Sequence, residues 1–492
     1  MSHTYAGDAG PDAPGGTSRV AVETNGINVI AESERTGTPR SLFWPWFGAN
    51  VSVLGLGYGS FTLGFGISFW QATIAGVLGI VVSFLFCGLI AIAGKRGSAP
   101  TLVLSRAAFG VTGGRVPAVL SWVLTVGWET VLTSLATLAT ATVFTRLGWG
   151  GGTTTQVIAL LVVAALVVVG GVLGFHLIMR MQTVITVVTG VLTIAYLALV
   201  ADEIDWSAVG AVPAGSTAVF IGALVFVMTG YGFGWVNAAA DYSRYLPRTA
   251  STRGVVGWTT FGSALAPVVL LVVGLLLAGS SPELSAAIGT DPIGALGSLL
   301  PTWFLVPFAL VAVLGLVGGA LLDIYSSGLA LLSAGVRIPR PVAAGVDGVL
   351  MVLGTIWVVF IAQGDFFTQF QGFLITLGVP VAAWCGIMLA DLLLRRRDYA
   401  EAELYDPRGR YGSVPPVPLL LLLVGTVLGW GLVTNAYAGW LDWQGYLLGP
   451  FGLGGTAGNW AFANLGVLAA LVVGFAGTLL LRRAAVRQQE AA

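Results

Sequence analysis

The chain has 492 residues, of which 56% are hydrophobic and 9% charged, with 22 basic side chains against 22 acidic ones, and its mean hydropathy is +0.90. Soluble domains carry roughly 25% charged residues, so this composition excludes an ordinary soluble enzyme and points to an all-α polytopic membrane protein. Cys87 and Cys385, the two cysteines, both fall inside apolar runs, which excludes a disulfide framework and leaves them as packed hydrophobes. His3 and His176 are the only histidines and fit no zinc motif, so no metal and no cofactor is expected.

Residues 1–40 are rich in glycine, proline and charge and contain no apolar run. They read as a disordered cytoplasmic tail, without the apolar core of a secretory signal. Twelve apolar segments of spanning length follow, near 44–65, 69–94, 117–144, 155–174, 181–201, 216–238, 254–279, 303–335, 342–362, 369–394, 416–437 and 461–482. With alternating loops, every Lys and Arg except Arg146 falls on one side of this pattern, whereas Asp202, Glu203, Asp205, Glu283, Asp291, Asp365 and Asp442 fall on the other. The positive-inside rule then places both termini in the cytoplasm of a cell-membrane protein. Between spans two and three, residues 94–117 are mixed and basic and read as a stretch along the inner membrane surface.

Span one carries Gly55, Gly57, Gly59 and Gly64; span six carries Gly222, Gly230, Gly232 and Gly234. Glycine is a poor helix former. Glycine-interrupted spans in corresponding positions of two halves mark transporters with inverted repeats and a binding site at the breaks. The expected organisation is a transport core over 41–398, with five-helix repeats near 41–205 and 212–398 and broken spans one and six. A cytoplasmic loop over 399–415 and two accessory helices with a tail over 416–492 complete it. Glycine that only permits close helix packing is the competing explanation. The glycine run at 55–59 lacks the preceding strand and acidic partner of a dinucleotide site.

Two carboxylates stand inside spans, where a charge costs at least about 2.5–3.5 kcal/mol. Glu129 lies in span three, with Thr133 and Thr137 on the same stripe, and Asp323 lies in span eight before Tyr325, Ser326 and Ser327. Neither span offers a Lys or Arg. An unpaired intramembrane acid must be protonated, bind a cation or hydrogen-bond a ligand. Asp241, Asp347 and Asp391 sit near inner helix ends and read as structural. Most of the 16 tryptophans mark membrane interfaces, but Trp128 and Trp235 fall within the spans that carry a buried acid or a break. Two such faces can sandwich a flat heterocycle.

The chain resembles the nucleobase–cation symporter-1 family of cytosine, purine, uracil, allantoin, thiamine and hydantoin permeases. The stretches that carry this are WFGAN at 46–50, SFWQA at 68–72, SRAAFG at 105–110, VPAVLSW at 116–122, AADYSRYLP at 239–247, IYSSG at 324–328 and VRIPR at 336–340. The resemblance implies two inverted five-helix repeats and a ligand held between spans one, three, six and eight. It implies that Trp128 and Trp235 stack on the ligand and that Asp323 stands where the purine–cytosine branch has a base-reading asparagine. Leu132 replaces a polar residue expected four positions after Trp128, and the serine or threonine hydroxyls that hold sodium in hydantoin-type members are not evident around Val317 and Gly318. The expectation is therefore a proton symporter importing a nucleobase-like heterocycle. Its substrate site is Trp128, Trp235, Asp323, Gly55 and Gly232, and its proton or cation coupling runs through Glu129 and Asp323. Sodium-coupled hydantoin, allantoin or thiamine transport, or amine and amino-acid transport on the same fold, are the alternatives. A membrane enzyme would need a catalytic cluster that the polar loops do not supply, and no nucleic-acid partner is expected.

Overall fold

The computed structural model describes residues 22–23, 25–362, 366–435 and 439–491, without the side chains of 366–368. Asp365, read above as an outer-loop acid, lies outside the described residues. Every regular element among them is helical. Nine helices among the described residues are long and apolar enough to cross a membrane, or ten if the bent pair Leu465–Leu481 and Arg483–Ala491 forms one span. Spans two to ten and twelve account for these. Span one is split into Phe43–Asn50 and Leu54–Leu63, and span eleven, Pro416–Trp430, has 15 residues. Neither reaches that length, so the count of twelve crossings stays a reading of the sequence.

Local chemistry sets the helix ends. Span two, Phe69–Gly97, opens with a capping box in which Ser68 and Gln71 each accept from the other's backbone N–H. Ser216 and Ser251 cap spans six and seven. Gly174, at φ +89°, separates span four, Thr153–Leu173, from span five, Phe175–Leu199. Such a left-handed backbone is open mainly to glycine.

Span one breaks before its glycines, not at them. Val51 leaves the helix at φ −83°, ψ 84°. Asn50 Nδ2 donates to the Trp46 carbonyl at 2.8 Å and Ser52 Oγ accepts from Leu54 N at 3.3 Å. Ser52 thus satisfies a backbone N–H that the start of the second half-helix leaves open, while Asn50 folds back on the last turn of the first. The glycines that follow serve close approach. A Cβ on Gly59 would lie 2.3 Å from the backbone of Gly274, so spans one and seven touch main chain to main chain. Span six does break within its glycine-rich stretch, at Tyr231 (φ −116°, ψ −99°), between Thr217–Gly230 and Gly232–Trp235. The freed groups find partners on other spans. Tyr58 OH donates to Gly230 O at 3.1 Å, Ser83 Oγ accepts from Gly232 N at 3.1 Å, and Cys87 Sγ donates to Gly232 O.

Spans one, two, six and seven pack as one group, and spans three, four, eight and nine as another, with span five against spans one and eight. Span ten, Phe366–Leu394, packs chiefly on the two C-terminal helices. Part of the expected tail behaves differently from its composition. Ile30 is fully buried, its N–H donates to Ser98 O at 2.8 Å, and Arg35 pairs with Glu401 at 3.3 Å. The stretch from residue 25 to the first span therefore packs on the helix ends, because buried apolar and charged side chains in it find partners that sequence-local reasoning does not see.

Candidate substrate site

Both helix breaks meet one cavity between the two groups of spans. Span one lines it with Ala49, Asn50, Ser52, Leu54, Gly55 and Tyr58; span three with Trp128 and Leu132; span six with Gly230, Tyr231 and Trp235. The two breaks are joined directly. Tyr58 bonds the Gly230 carbonyl, and the Tyr58 and Tyr231 rings lie 4.5 Å apart between centroids.

The two indoles are braced from behind. Trp235 meets Trp46 edge-on at 5.7 Å and Trp128 meets Phe370 edge-on at 5.5 Å. Edge-to-face contacts of this kind fix ring orientation. Span three approaches span six closely here, since a Cβ on Gly234 would stand 3.0 Å from Trp128 Nε1. Among the described residues, Trp128 Nε1 and Tyr231 OH are buried without a hydrogen-bond partner. A buried donor left unpaired is costly and calls for an explanation. In a cavity wall, with Asn50 and Ser52 beside them, such donors can read the edge of a polar ring while the indole faces stack on it. Leu132 stands where a polar reader was expected, packed against Gly319 of span eight.

The remaining sequence-named residues divide between the cavity and its surroundings. Gly55 lines the cavity, but Gly232 does not; it packs on Ser83 of span two. Glu129 and Asp323 are buried, and neither lines the cavity. All four of their carboxylate oxygens lack a hydrogen-bond partner among the described residues. Asp323 directly follows Leu322, whose carbonyl accepts from Tyr242 OH at 2.9 Å. Glu129 lies within electrostatic reach of both Asp323 and Asp347.

Asp347 gains most from the tertiary structure. It is fully buried, accepting from Trp122 Nε1 at 2.7 Å and Ser327 Oγ at 2.9 Å. Spans three, eight and nine therefore each bury a carboxyl group, and that of Asp347 ties span nine to spans three and eight. The three carboxyls do not form a metal-holding cluster, since no such group of His, Cys, Asp or Glu occurs among the described residues. Sequence reasoning missed Asn50, Ser52, Tyr58 and Tyr231 as lining residues and read Asp347 only as a structural residue near an inner helix end. The available signal was the position of Asn50 and Ser52 beside a glycine-rich helix.

Comparisons with known proteins agree with this architecture. The sequence model of the family described as permease for cytosine/purines, uracil, thiamine, allantoin matches residues 29–448. A putative purine-cytosine permease of Bacillus subtilis, YxlA, is 24% identical over 423 residues, covering 83% of this chain and 87% of that protein. The purine-cytosine permease FCY2 of Saccharomyces cerevisiae is 22% identical over 492 residues, covering 92% and 87%. Among solved structures, Mhp1, a nucleobase-cation-symport-1 family transporter in a closed conformation with bromovinylhydantoin bound, superposes with a TM-score of 0.68 at 18% identity, covering 96% of this chain and all of that one. A Na+-coupled sialic acid symporter gives 0.60 at 11% identity, covering 92% and 91%. These structural likenesses establish a shared fold. With broken spans one and six around a common cavity and a family match along most of its length, the chain belongs to the permease family for cytosine/purines, uracil, thiamine and allantoin, as a multi-pass membrane transporter and not an enzyme.

Proposed function

We propose that this chain imports a nucleobase-like nitrogen heterocycle by proton symport, holding it between Trp128 and Trp235 and coupling through Asp323 and Glu129. The observation that carries the reading is the convergence of two braced indoles and two unpaired donors, from spans three and six, on one cavity at both helix breaks. Both termini face the cytoplasm, and repeats over spans 1–5 and 6–10 relate spans one, two and five to six, seven and ten. The grouping of one and two with six and seven supports that symmetry. The cavity measures about 50 Å³, far below the roughly 300–1,000 Å³ usual for small-molecule sites. Substrate entry therefore requires the two groups of spans to part, which is the motion that alternating access uses.

Two observations support protons over sodium. The carboxyls of Glu129, Asp323 and Asp347 are all buried in the apolar interior, and neither Glu129 nor Asp323 is in an ion pair among the described residues. A buried carboxyl without an ion-pair or hydrogen-bond partner is costly to ionise, which suits a group that carries a proton. The Gly318 carbonyl, near which sodium would be sought, accepts from Gln182 Nε2 at 2.6 Å. An amide donor there takes up a lone pair that a cation would need.

Uptake into proteoliposomes tests both halves. A competition panel of cytosine, adenine, hypoxanthine, uracil, allantoin, hydantoin and thiamine identifies the ligand class, and amino acids serve as the opposing arm. Replacing sodium by choline should leave uptake intact, whereas a protonophore should collapse accumulation. Loss of uptake on removing sodium alone would refute proton coupling. Competition by amino acids and not by heterocycles would refute the substrate class.

A further inference from the structure

Glu23 belongs to the segment that precedes span one, yet it is only 8% exposed. Its Oε1 accepts from Tyr245 OH at 2.6 Å and Tyr325 OH at 3.1 Å and lies 3.6 Å from Arg244. Its Oε2 accepts from Phe175 N at 2.7 Å and lies 3.8 Å from Arg340 Nε. Arg244 and Arg340 are themselves buried, at 0% and 3% exposure. Two guanidinium groups, two phenols and one backbone N–H therefore converge on a single carboxylate. The seat is shaped for it as well. Gly174, at φ +89°, has no side chain, and a Cβ there would stand 2.4 Å from Glu23 Oε2.

These partners come from elements that must separate if the site is to open toward the face bearing the N-terminal segment. Arg244 and Tyr245 end span six, which belongs to one group of spans. Tyr325 is in span eight and Arg340 begins span nine, both in the other group, and Phe175 begins span five. The segment is pinned again beyond Glu23, by Arg244 NH1 on Gly26 O at 2.8 Å and by Ile30 N on Ser98 O after span two. One carboxylate cannot keep partners on both groups once they part.

We infer that the Arg244–Arg340–Tyr325 seat is a carboxylate-binding site, filled by this chain's own Glu23, and that its occupation bolts the transport pathway shut on the face that carries the N-terminal segment. The inference rests on the reading of the chain as an alternating-access transporter. With Glu23 removed, two buried guanidiniums lose their counter-charge, and water or a small anion must reach them. The equilibrium then moves toward the state open on that side.

The test uses the full-length chain with Cys87→Ala and Cys385→Ala and a reporter cysteine, Ser326→Cys. Ser326 is buried next to Tyr325, with its Oγ 3.1 Å from Tyr242 OH. A membrane-impermeant maleimide is added to inside-out vesicles. Glu23→Ala should speed labelling by about tenfold, the size of a modest population shift. Formate, set against chloride at matched ionic strength, should return the rate toward that of the Glu23 parent by refilling the seat. Tyr245→Phe with Tyr325→Phe removes two donors while keeping both rings, and should speed labelling in the same direction even if Glu23→Ala folds poorly. Equal labelling rates in the variants and the parent would overturn the bolt. Acceleration that formate leaves untouched would overturn the carboxylate seat. Labelling requires no substrate, so a failed uptake panel would sink the transport reading while leaving this result standing.

Discussion

Replacing Trp128 by alanine tests the substrate site most directly. Trp128 is 8% exposed, lines the cavity, and is held edge-on by Phe370 at 5.5 Å and Phe373 at 6.1 Å. Its face is therefore oriented before a ligand arrives, and little ordering entropy is lost on stacking. Losing one base–aromatic stack costs about 1–3 kcal/mol, which corresponds to a Kd about 5- to 150-fold weaker. Removing the ring also enlarges the present space of about 50 Å³, which admits water and gives the ligand no replacement contact. Trp128→Phe keeps a π-face and should lose less than the alanine variant. Trp235→Ala should lose a similar amount, because Trp46 braces its ring in the same edge-on way. Calorimetric titration of purified protein with whichever panel compound the parent binds measures these differences, and thermal unfolding checks that the variants are folded. Kd values within about twofold of the parent, in both folded alanine variants, would refute the aromatic sandwich.

Three further outcomes follow from the packing. Asp323→Ala should abolish uptake driven by a pH gradient in proteoliposomes, since it removes one of the buried unpaired acids; uptake that still tracks the gradient would remove Asp323 from the coupling. Gly59→Leu should destabilise the fold by about 1–3 kcal/mol or more, because even a Cβ would stand 2.3 Å from the Gly274 backbone; an unchanged unfolding temperature would show that spans one and seven can yield. Asp391→Ala should cost about 3–5 kcal/mol, read as a lowered unfolding temperature. It strands a buried Arg395 whose Nε now donates to Asp391 Oδ2 at 2.6 Å and whose NH2 reaches Ala107 O at 2.9 Å and Gln489 Oε1 at 2.6 Å.

Some of this was legible in the linear chain. Apolar runs of spanning length, the polarity of the intervening loops and the few acids within spans are local properties, and the bilayer makes hydropathy decisive. The all-helical membrane class, the long spans and the break in span six follow from them. Trp128 and Trp235 were distinguishable because they depart from the interfacial placement of most tryptophans. The other break shows the limit of composition. Glycines in span one drew attention to residues 55–64, yet the helix breaks at Val51, where Asn50 and Ser52 bond the backbone, and the glycines instead seat span seven.

Convergence was decided only in three dimensions. Which face of span three meets span six, and which meets span nine, depends on packing angles that a one-dimensional pattern does not contain. Hence Trp128 reaches the cavity while its neighbour Glu129 is buried outside it. Glu23 likewise sits in a segment whose composition reads as a disordered tail, because sequence-local reasoning counts what a segment can bury by itself. It cannot count a seat prepared by Arg244, Tyr245, Tyr325 and Arg340, whose charge and hydroxyl groups are assembled from remote spans.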